Sequence, residues 1–257
     1  TFTLKCKNCR FYVSNLKSGF GAPIEGLKRL RLLNFKKIFA SLNNEIKKNS
    51  KILEIGPGKG LFMELARAKG LDVTGIEPGL EESRELSKKG FKIFKKEFPL
   101  KKKLSYQYDF IIFNDVFEHI DVSKLNDAIK QCYMLLKKDA YLVINLPTTD
   151  GFFFNLSIFF KFFKINFFYE RLWQKNFSSP HITYFNSKNL NRFIQKHNFR
   201  LYSEYSLAAI DQDSKKRILS SNKKSKILKF IALIINYLYI YIKLFPSDAM
   251  LKIYKKK

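Results

Sequence analysis

Short apolar runs recur through the middle of the chain at 51–55 (KILEI), 71–77, 91–96, 108–114 (YDFIIFN) and 141–146, each bounded by glycine, proline or charge. That is the pattern of strands buried in a sheet. Between them, residues 60–69, 79–89 and 123–137 carry apolar side chains at helical spacing. The last of these has a face of Leu125, Ile129, Cys132, Leu135 and Leu136, with Ser123 expected as its N-cap. An amphipathic helix over 27–47, carrying Leu30, Phe35, Ile38, Phe39 and Leu42, leads into the first strand. After Pro147 a Phe-rich segment (152–168) interrupts the order. A helix over 187–197, capped by Asn186 or Ser187, a strand at 199–207, a Lys-rich linker at 211–226, an apolar helix at 227–244 and a strand at 249–256 follow. Strands alternating with helices predict an α/β fold: βαβ units and a mostly parallel sheet of seven strands with helices on both faces.

The helix over 60–69 follows directly on KILEIGPGKG, in which Gly56, Gly58 and Gly60 stand at alternate positions. A glycine turn between strand and helix lets a ligand approach the backbone, and the helix N-terminus offers unpaired N–H groups. Phosphate is the usual guest of such turns, but two features argue against it here. The third glycine comes one residue earlier than in the dinucleotide pattern G-x-G-x-x-G, and Glu54 stands at the carboxyl end of the strand, where it would repel a pyrophosphate. A carboxylate in that place suits a cationic, phosphate-free ligand such as S-adenosylmethionine. The second strand ends in Glu77, 21 residues beyond Gly56, at the distance where an acid accepts hydrogen bonds from ribose hydroxyls, a feature shared with NAD enzymes.

Composition adds less than it first suggests. The 257 residues carry a net charge of +26, which favours polyanions, anionic membrane surfaces or acidic substrates as neighbours. Only nine of the 48 basic residues are Arg, whereas nucleic-acid readers lean on bidentate Arg, so a solvated lysine surface accounts for most of the charge. Three cysteines are too few for a disulfide framework and point to a reducing, cytoplasmic setting. Cys132 falls on the apolar helix face. Cys6 and Cys9 form a lone C-x2-C, short of the four ligands of structural zinc; a metal there is expected only if another ligand pair precedes it. Residues 230–242 are too few to cross a bilayer, and residues 152–168 are interrupted by Lys161 and Lys164, so neither is expected to span one.

Together these stretches resemble the class I S-adenosylmethionine-dependent methyltransferases, small-molecule branch. LEIGPGKG (53–60) resembles their first motif, VTGIEP (73–78) the second, and YDFIIFNDVFEHI (108–120) the fourth-strand motif with its acidic-Val-x-Glu-His segment. LLKKDAYLVINLP (135–147) is similar to their helix, turn and fifth strand, with Asp139 and Ala140 in place of Pro-Gly-Gly. SPHITYFNSKNLNRFIQKHNF (179–199) resembles a segment of the sugar and quinone-type enzymes. The resemblance implies a Rossmann-like domain over 27–257 with an antiparallel last strand and lid-like insertions at 150–180 and 211–246. It also implies an N-terminal extension over 1–26, similar to half of a zinc-binding module.

It further implies that Glu54, Gly56, Gly58 and Gly60 line the methionine end of S-adenosylmethionine, that Glu77 holds the ribose, and that Glu97 reaches the adenine edge. Asn114 and Asp115 would sit where cofactor and acceptor meet. His181 and His119 are candidate general bases, or residues that hold the backbone, with Glu118 able to orient His119; Pro180 stands where the sugar enzymes have Glu. NDVF (114–117) lacks the two prolines of the branch that methylates exocyclic amines, which argues against a nucleic-acid acceptor. The expected acceptor is a small molecule, a sugar, glycan or lipid-linked intermediate. The greasy lysine-flanked segments leave open a peripheral contact with an anionic membrane. The same pattern is compatible with an NAD-dependent oxidoreductase or with a basic binding module on an inactive fold.

Overall fold

In the computed structural model, residues 3–17, 19, 27–101, 107–175, 177–211 and 244–257 are described, together with 233, 234, 237, 241 and 242. The linker expected at 211–226 and most of the helix expected at 227–244 lie outside the described residues. The elements are β1 (Thr3–Lys5), β2 (Tyr12–Ser14), α1 (Lys28–Ser41), β3 (Lys51–Ile55), α2 (Leu61–Ala68), β4 (Asp72–Ile76), α3 (Leu80–Lys88), β5 (Lys92–Phe94) and β6 (Tyr108–Asn114). They continue with α4 (Leu125–Leu135), β7 (Leu136–Pro147), α5 (Phe152–Phe162), α6 (Phe167–Leu172), β8 (Thr183–Tyr184), α7 (Ser187–Gln195), β9 (Phe199–Leu207) and β10 (Ala249–Lys256).

The main sheet has the order β5-β4-β3-β6-β7-β10-β9. Its first five strands are parallel, and β10 runs antiparallel to both of its neighbours. This is the expected Rossmann-like sheet. Burial on both faces explains the unbroken apolar runs, because alternate residues of one strand feed two cores. Ile52, Phe110, Ile112 and Val143 pack with Phe35, Ile38 and Phe39 of α1, with Phe62 and Met63 of α2 and with Leu86 of α3. Leu53, Ile111, Phe113 and Ile144 pack on the other face with Ala128, Ile129 and Cys132 of α4 and with Leu190 and Ile194 of α7. From β3 the chain first adds strands on one side and then, at β6, on the other. The crevice beyond the carboxyl ends of β3 and β6 is therefore the place where such sheets bind ligands.

Three local expectations are corrected. Asp121, not Ser123, provides the cap: its carboxylate accepts from the Ser123 amide and hydroxyl at 2.9 and 2.7 Å, closing a 3-10 turn over Val122–Lys124 before α4 begins. Both residue types cap helices well, so spacing alone did not choose between them. The fifth strand starts at Leu136, straight from α4, with Asp139 taking a left-handed φ of 61° where a loop was expected. The first helix stops at Ser41 rather than continuing to 47, since Asn43 and Asn44 favour a turn. Asn186 does cap α7, in a reciprocal capping box with Asn189.

The N-terminal residues join the main domain through a small antiparallel sheet, β1-β2-β8. The turn bearing Cys6 and Cys9 docks on the start of α7, where the Asn186 and Asn189 amides donate to the Cys9 carbonyl at 3.0 and 3.1 Å. An aromatic cluster of Tyr12, Phe154, Tyr169, Trp173 and Tyr184 ties this small sheet to the Phe-rich helices α5 and α6. Asp248, just before β10, secures the start of α5 by accepting from the Phe153 and Phe154 amides at 2.9 and 2.7 Å.

Candidate active site

The glycine loop leaves β3 through three residues of positive φ, Gly56 (66°), Gly58 (54°) and Gly60 (77°). Two of the three glycines are enforced by close packing. A Cβ on Gly56 would stand 2.7 Å from Val116 Cγ2, and one on Gly60 2.2 Å from Leu86 Cδ2. A Cβ on Gly58 would meet nothing within 4 Å, so the middle of the loop faces open space. The Gly58 amide is already committed, donating to Glu77 Oε2 at 2.9 Å, while Glu77 Oε1 accepts from the Gly79 amide at 2.9 Å. Glu77 is buried against the loop, and burial raises its carboxyl above the ordinary range while the two amides oppose the rise. A carboxylate that closes the loop in this way makes it a poor phosphate cradle.

Glu54, 2 % exposed, accepts from Asn114 Nδ2 at 2.9 Å, joining the ends of β3 and β6. Its other oxygen, Oε2, and Asn114 Oδ1 are buried without a hydrogen-bond partner among the described residues. Burial pushes the Glu54 carboxyl up to about 8; Asn114 and Arg31 oppose the shift and Glu77 adds to it. Unsatisfied acceptors at a crevice are what a cationic donor would complete. Asp115 follows at φ 55°, a sparsely populated conformation for a non-glycine residue, and lies 3.8 Å from Arg31 Nε on α1. Glu97 also lines the cavity, but it is half exposed and pairs with Lys124 at 2.6 Å.

Glu54, Gly56, Gly58, Glu77, Glu97, Asn114 and Asp115 line one continuous cavity of about 1360 Å³, whereas Gly60 does not; the volume exceeds the roughly 300–1,000 Å³ of a one-ligand site. Its far half is walled by Phe152, Phe153, Leu156, Phe160, Phe167 and Phe168. Between the halves stand His119, His181 and Glu118, brought together from the turn after β6 and the approach to β8. The two imidazole centroids are 4.9 Å apart, and each Nε2 lies 3.9 Å from Glu118 Oε1. Burial lowers His119 to about 4 and His181 well below the usual imidazole range, and raises Glu118 well above the usual carboxyl range. Both rings are therefore neutral. Glu118 thus reaches His181 as well as His119 and places an acidic side chain beside both despite Pro180. Arg31 and Tyr184 were missed altogether: Arg31 sits in an ordinary amphipathic helix pattern, and Tyr184 gains its role through folding alone.

Residues 27–204 match the family described as methyltransferase domain. The chain belongs to that family. No curated protein matches the sequence. Among solved structures, the chain is similar to a SAM dependent methyltransferase from Archaeoglobus fulgidus, with 22% identity, a TM-score of 0.54 and coverage of 90% of this chain and 97% of that one. It is also similar to the cyclopropane synthase MmaA2 from Mycobacterium tuberculosis (14% identity, TM-score 0.59, 94% and 90% covered). A third neighbour is coclaurine N-methyltransferase bound to N-methylheliamine and SAH (12% identity, TM-score 0.60, 95% and 77% covered). At these identities the neighbours establish the fold, and the methyltransferase assignment rests on the family match. Among the described residues no helix is long and apolar enough to cross a membrane.

Proposed function

We propose that this chain methylates a small molecule with an apolar body and a polar end, a lipid-linked intermediate or a comparably apolar acceptor. The enzyme is an S-adenosylmethionine-dependent methyltransferase. The observation that carries the finer reading is the continuity of the cavity, which runs from the glycine loop past His119 and His181 to a chamber walled by phenylalanine. One neighbour of the same fold holds SAH together with a second organic ligand, N-methylheliamine.

Bound S-adenosylmethionine supplies an electrophilic methyl group on a sulfonium. The buried orphan oxygens of Glu54 and Asn114 suit its ammonium, and the Glu77 carboxylate retains lone pairs for ribose hydroxyls beyond those used by Gly58 and Gly79. Gly58 gives it backbone clearance, Gly56 and Gly60 let the loop pack on Val116 and Leu86, Glu97 borders the outer end, and Asp115 lies between the cofactor side and the acceptor side. The phenylalanine walls exclude water from the nucleophile and fix its approach, which supplies most of the catalysis an in-line displacement needs. His181 and His119 line the cavity with Nε2 near Glu118, and a neutral imidazole there takes the proton of an acceptor that must lose one.

The outside of the same helices supports the lipid-linked reading. Phe159, Phe162, Phe163, Ile165 and Phe167 are exposed around Lys161 and Lys164, an apolar patch on a strongly basic chain. Co-sedimentation is expected with anionic phosphatidylserine vesicles at low salt, weakening as salt rises, and weaker still for Phe162→Asp/Phe163→Asp. A chain that stays in the supernatant at low salt removes the membrane part of the proposal and leaves methyl transfer standing. Methyl transfer itself is tested by following S-adenosylhomocysteine release against a panel of lipid-linked and free acceptors.

A further inference from the structure

The hydrogen bonds around His119 and His181 define which ring nitrogens carry protons. The Tyr184 hydroxyl donates to the Leu172 carbonyl at 2.9 Å, so its oxygen receives the Nδ1–H of His181, also at 2.9 Å. His119 Nδ1 lies 2.8 Å from the Pro180 carbonyl, which only accepts, so it too carries the proton. Both Nε2 atoms are therefore bare lone pairs. They converge with the Glu118 carboxyl group, all three ligand atoms within 4.8 Å of one another, and Glu118 Oε2 is buried with no hydrogen-bond partner among the described residues. The two imidazole nitrogens are acceptors, and Glu118, whose protonated form burial favours, releases its proton when a cation completes the set of three.

We propose that His119 Nε2, His181 Nε2 and the Glu118 carboxylate hold a divalent transition-metal cation, which binds and activates an oxygen nucleophile of the acceptor. The proposal rests on reading the cavity as a methyl-transfer chamber and specifies what meets the acceptor at its polar wall, in place of direct proton transfer to an imidazole. It also departs from the sequence expectation, which looked for metal only at Cys6 and Cys9.

The separation of 3.9 Å from Glu118 Oε1 to each Nε2 exceeds by about 0.6 Å the roughly 3.3 Å between neighbouring ligand atoms of a tetrahedral site with bonds of about 2 Å, so a bound cation draws the three side chains slightly together. Two imidazoles and one carboxylate suit zinc, iron or manganese and leave coordination positions open. Each histidine already has the outer partner a metal ligand needs: His119 donates its other ring N–H to a carbonyl, and His181 to a tyrosine hydroxyl. The cavity that the cluster borders gives an acceptor hydroxyl a way to those open positions, where coordination lowers its pKa. The hydroxyl proton passes to water, and the oxygen forms its bond to the methyl carbon as the methyl–sulfur bond breaks. The electron pair of that bond remains on sulfur, which becomes a neutral thioether. The acceptor class this implies is an alcohol or phenol, with a neighbouring oxygen able to share the cation.

The test is titration of the chelator-treated full chain with Co²⁺ and Zn²⁺, followed by visible absorption and calorimetry in a Cys6→Ser/Cys9→Ser background. One equivalent is expected to bind, with a cobalt spectrum showing nitrogen and oxygen ligation. His119→Ala, His181→Ala and Glu118→Gln should each abolish it. Tyr184→Phe, which removes only an outer partner, should weaken it by about 10- to 100-fold. Binding of S-adenosylhomocysteine should persist in all four variants, which also reports that they fold. A chain that binds S-adenosylhomocysteine but no cobalt or zinc, or whose metal affinity is unmoved by these substitutions, overturns the metal site and leaves the methyltransferase reading intact. Loss of S-adenosylhomocysteine binding by the unsubstituted chain would instead remove the cofactor assignment.

Discussion

Glu77→Ala is expected to weaken S-adenosylhomocysteine binding by about two orders of magnitude or more, because two charge-assisted hydrogen bonds of ~1.5–3 kcal/mol each are lost. The same carboxylate closes the glycine loop onto Gly58 and Gly79, so its removal also loosens the backbone next to the ligand. Glu77→Gln keeps the size but has one acceptor oxygen instead of two, and should fall between. Calorimetry on variants whose circular dichroism matches the parent chain measures this. Unchanged affinity in Glu77→Ala would mean that the carboxylate only braces the loop and does not meet the ligand.

The second large effect is on pH. Burial pushes the Glu54 carboxyl up to about 8, so at neutral pH it is largely protonated. Its attraction for a ligand ammonium needs the ionised form. Binding must therefore displace a proton, and affinity strengthens as pH rises toward the folded value. Between pH 5.5 and 7.5 the binding constant for S-adenosylhomocysteine should climb by roughly tenfold per pH unit, with about one proton released per ligand. Calorimetry in two buffers of different ionisation enthalpy counts that proton directly. Glu54→Gln should bind more weakly at pH 7.5, with a flat profile and no release. A flat profile in the unsubstituted chain would show that Glu54 does not meet the ammonium.

What the sequence made legible follows from what is local. The strand cores, the glycine loop and the distance from Gly56 to Glu77 are encoded in contiguous residues whose periodicity and spacing survive folding. The choice against phosphate came from Glu54 and the early Gly60, and the structure gives the Glu54 carboxyl its burial and its partner Asn114. What was not legible is set by pairings distant in sequence. Strands as short as β1, β2 and β8 carry no period of their own, and they exist because residues 12–13 meet 183–184. Arg31 lies 84 positions before its partner Asp115, and nothing in an amphipathic helix marks one of its basic residues for a cavity. The motif spacing placed Glu118 beside His119, whereas its approach to His181 depends on the loop that brings Pro180 and Tyr184 across the sheet edge. The turn before the fifth strand was expected from the family resemblance; the chain there is instead an extended bulge, since Leu136 pairs with Tyr108 and Tyr141 with Phe110 across a register shift.

The oxidoreductase alternative shares the strand, glycine and acid pattern, so the cofactor decides between the two accounts. Calorimetric titration of the full chain with S-adenosylhomocysteine and, separately, with NAD is the most direct measurement. One saturable site for S-adenosylhomocysteine and no binding of NAD is the predicted result, whereas absence of the first or a preference for the second would contradict the account.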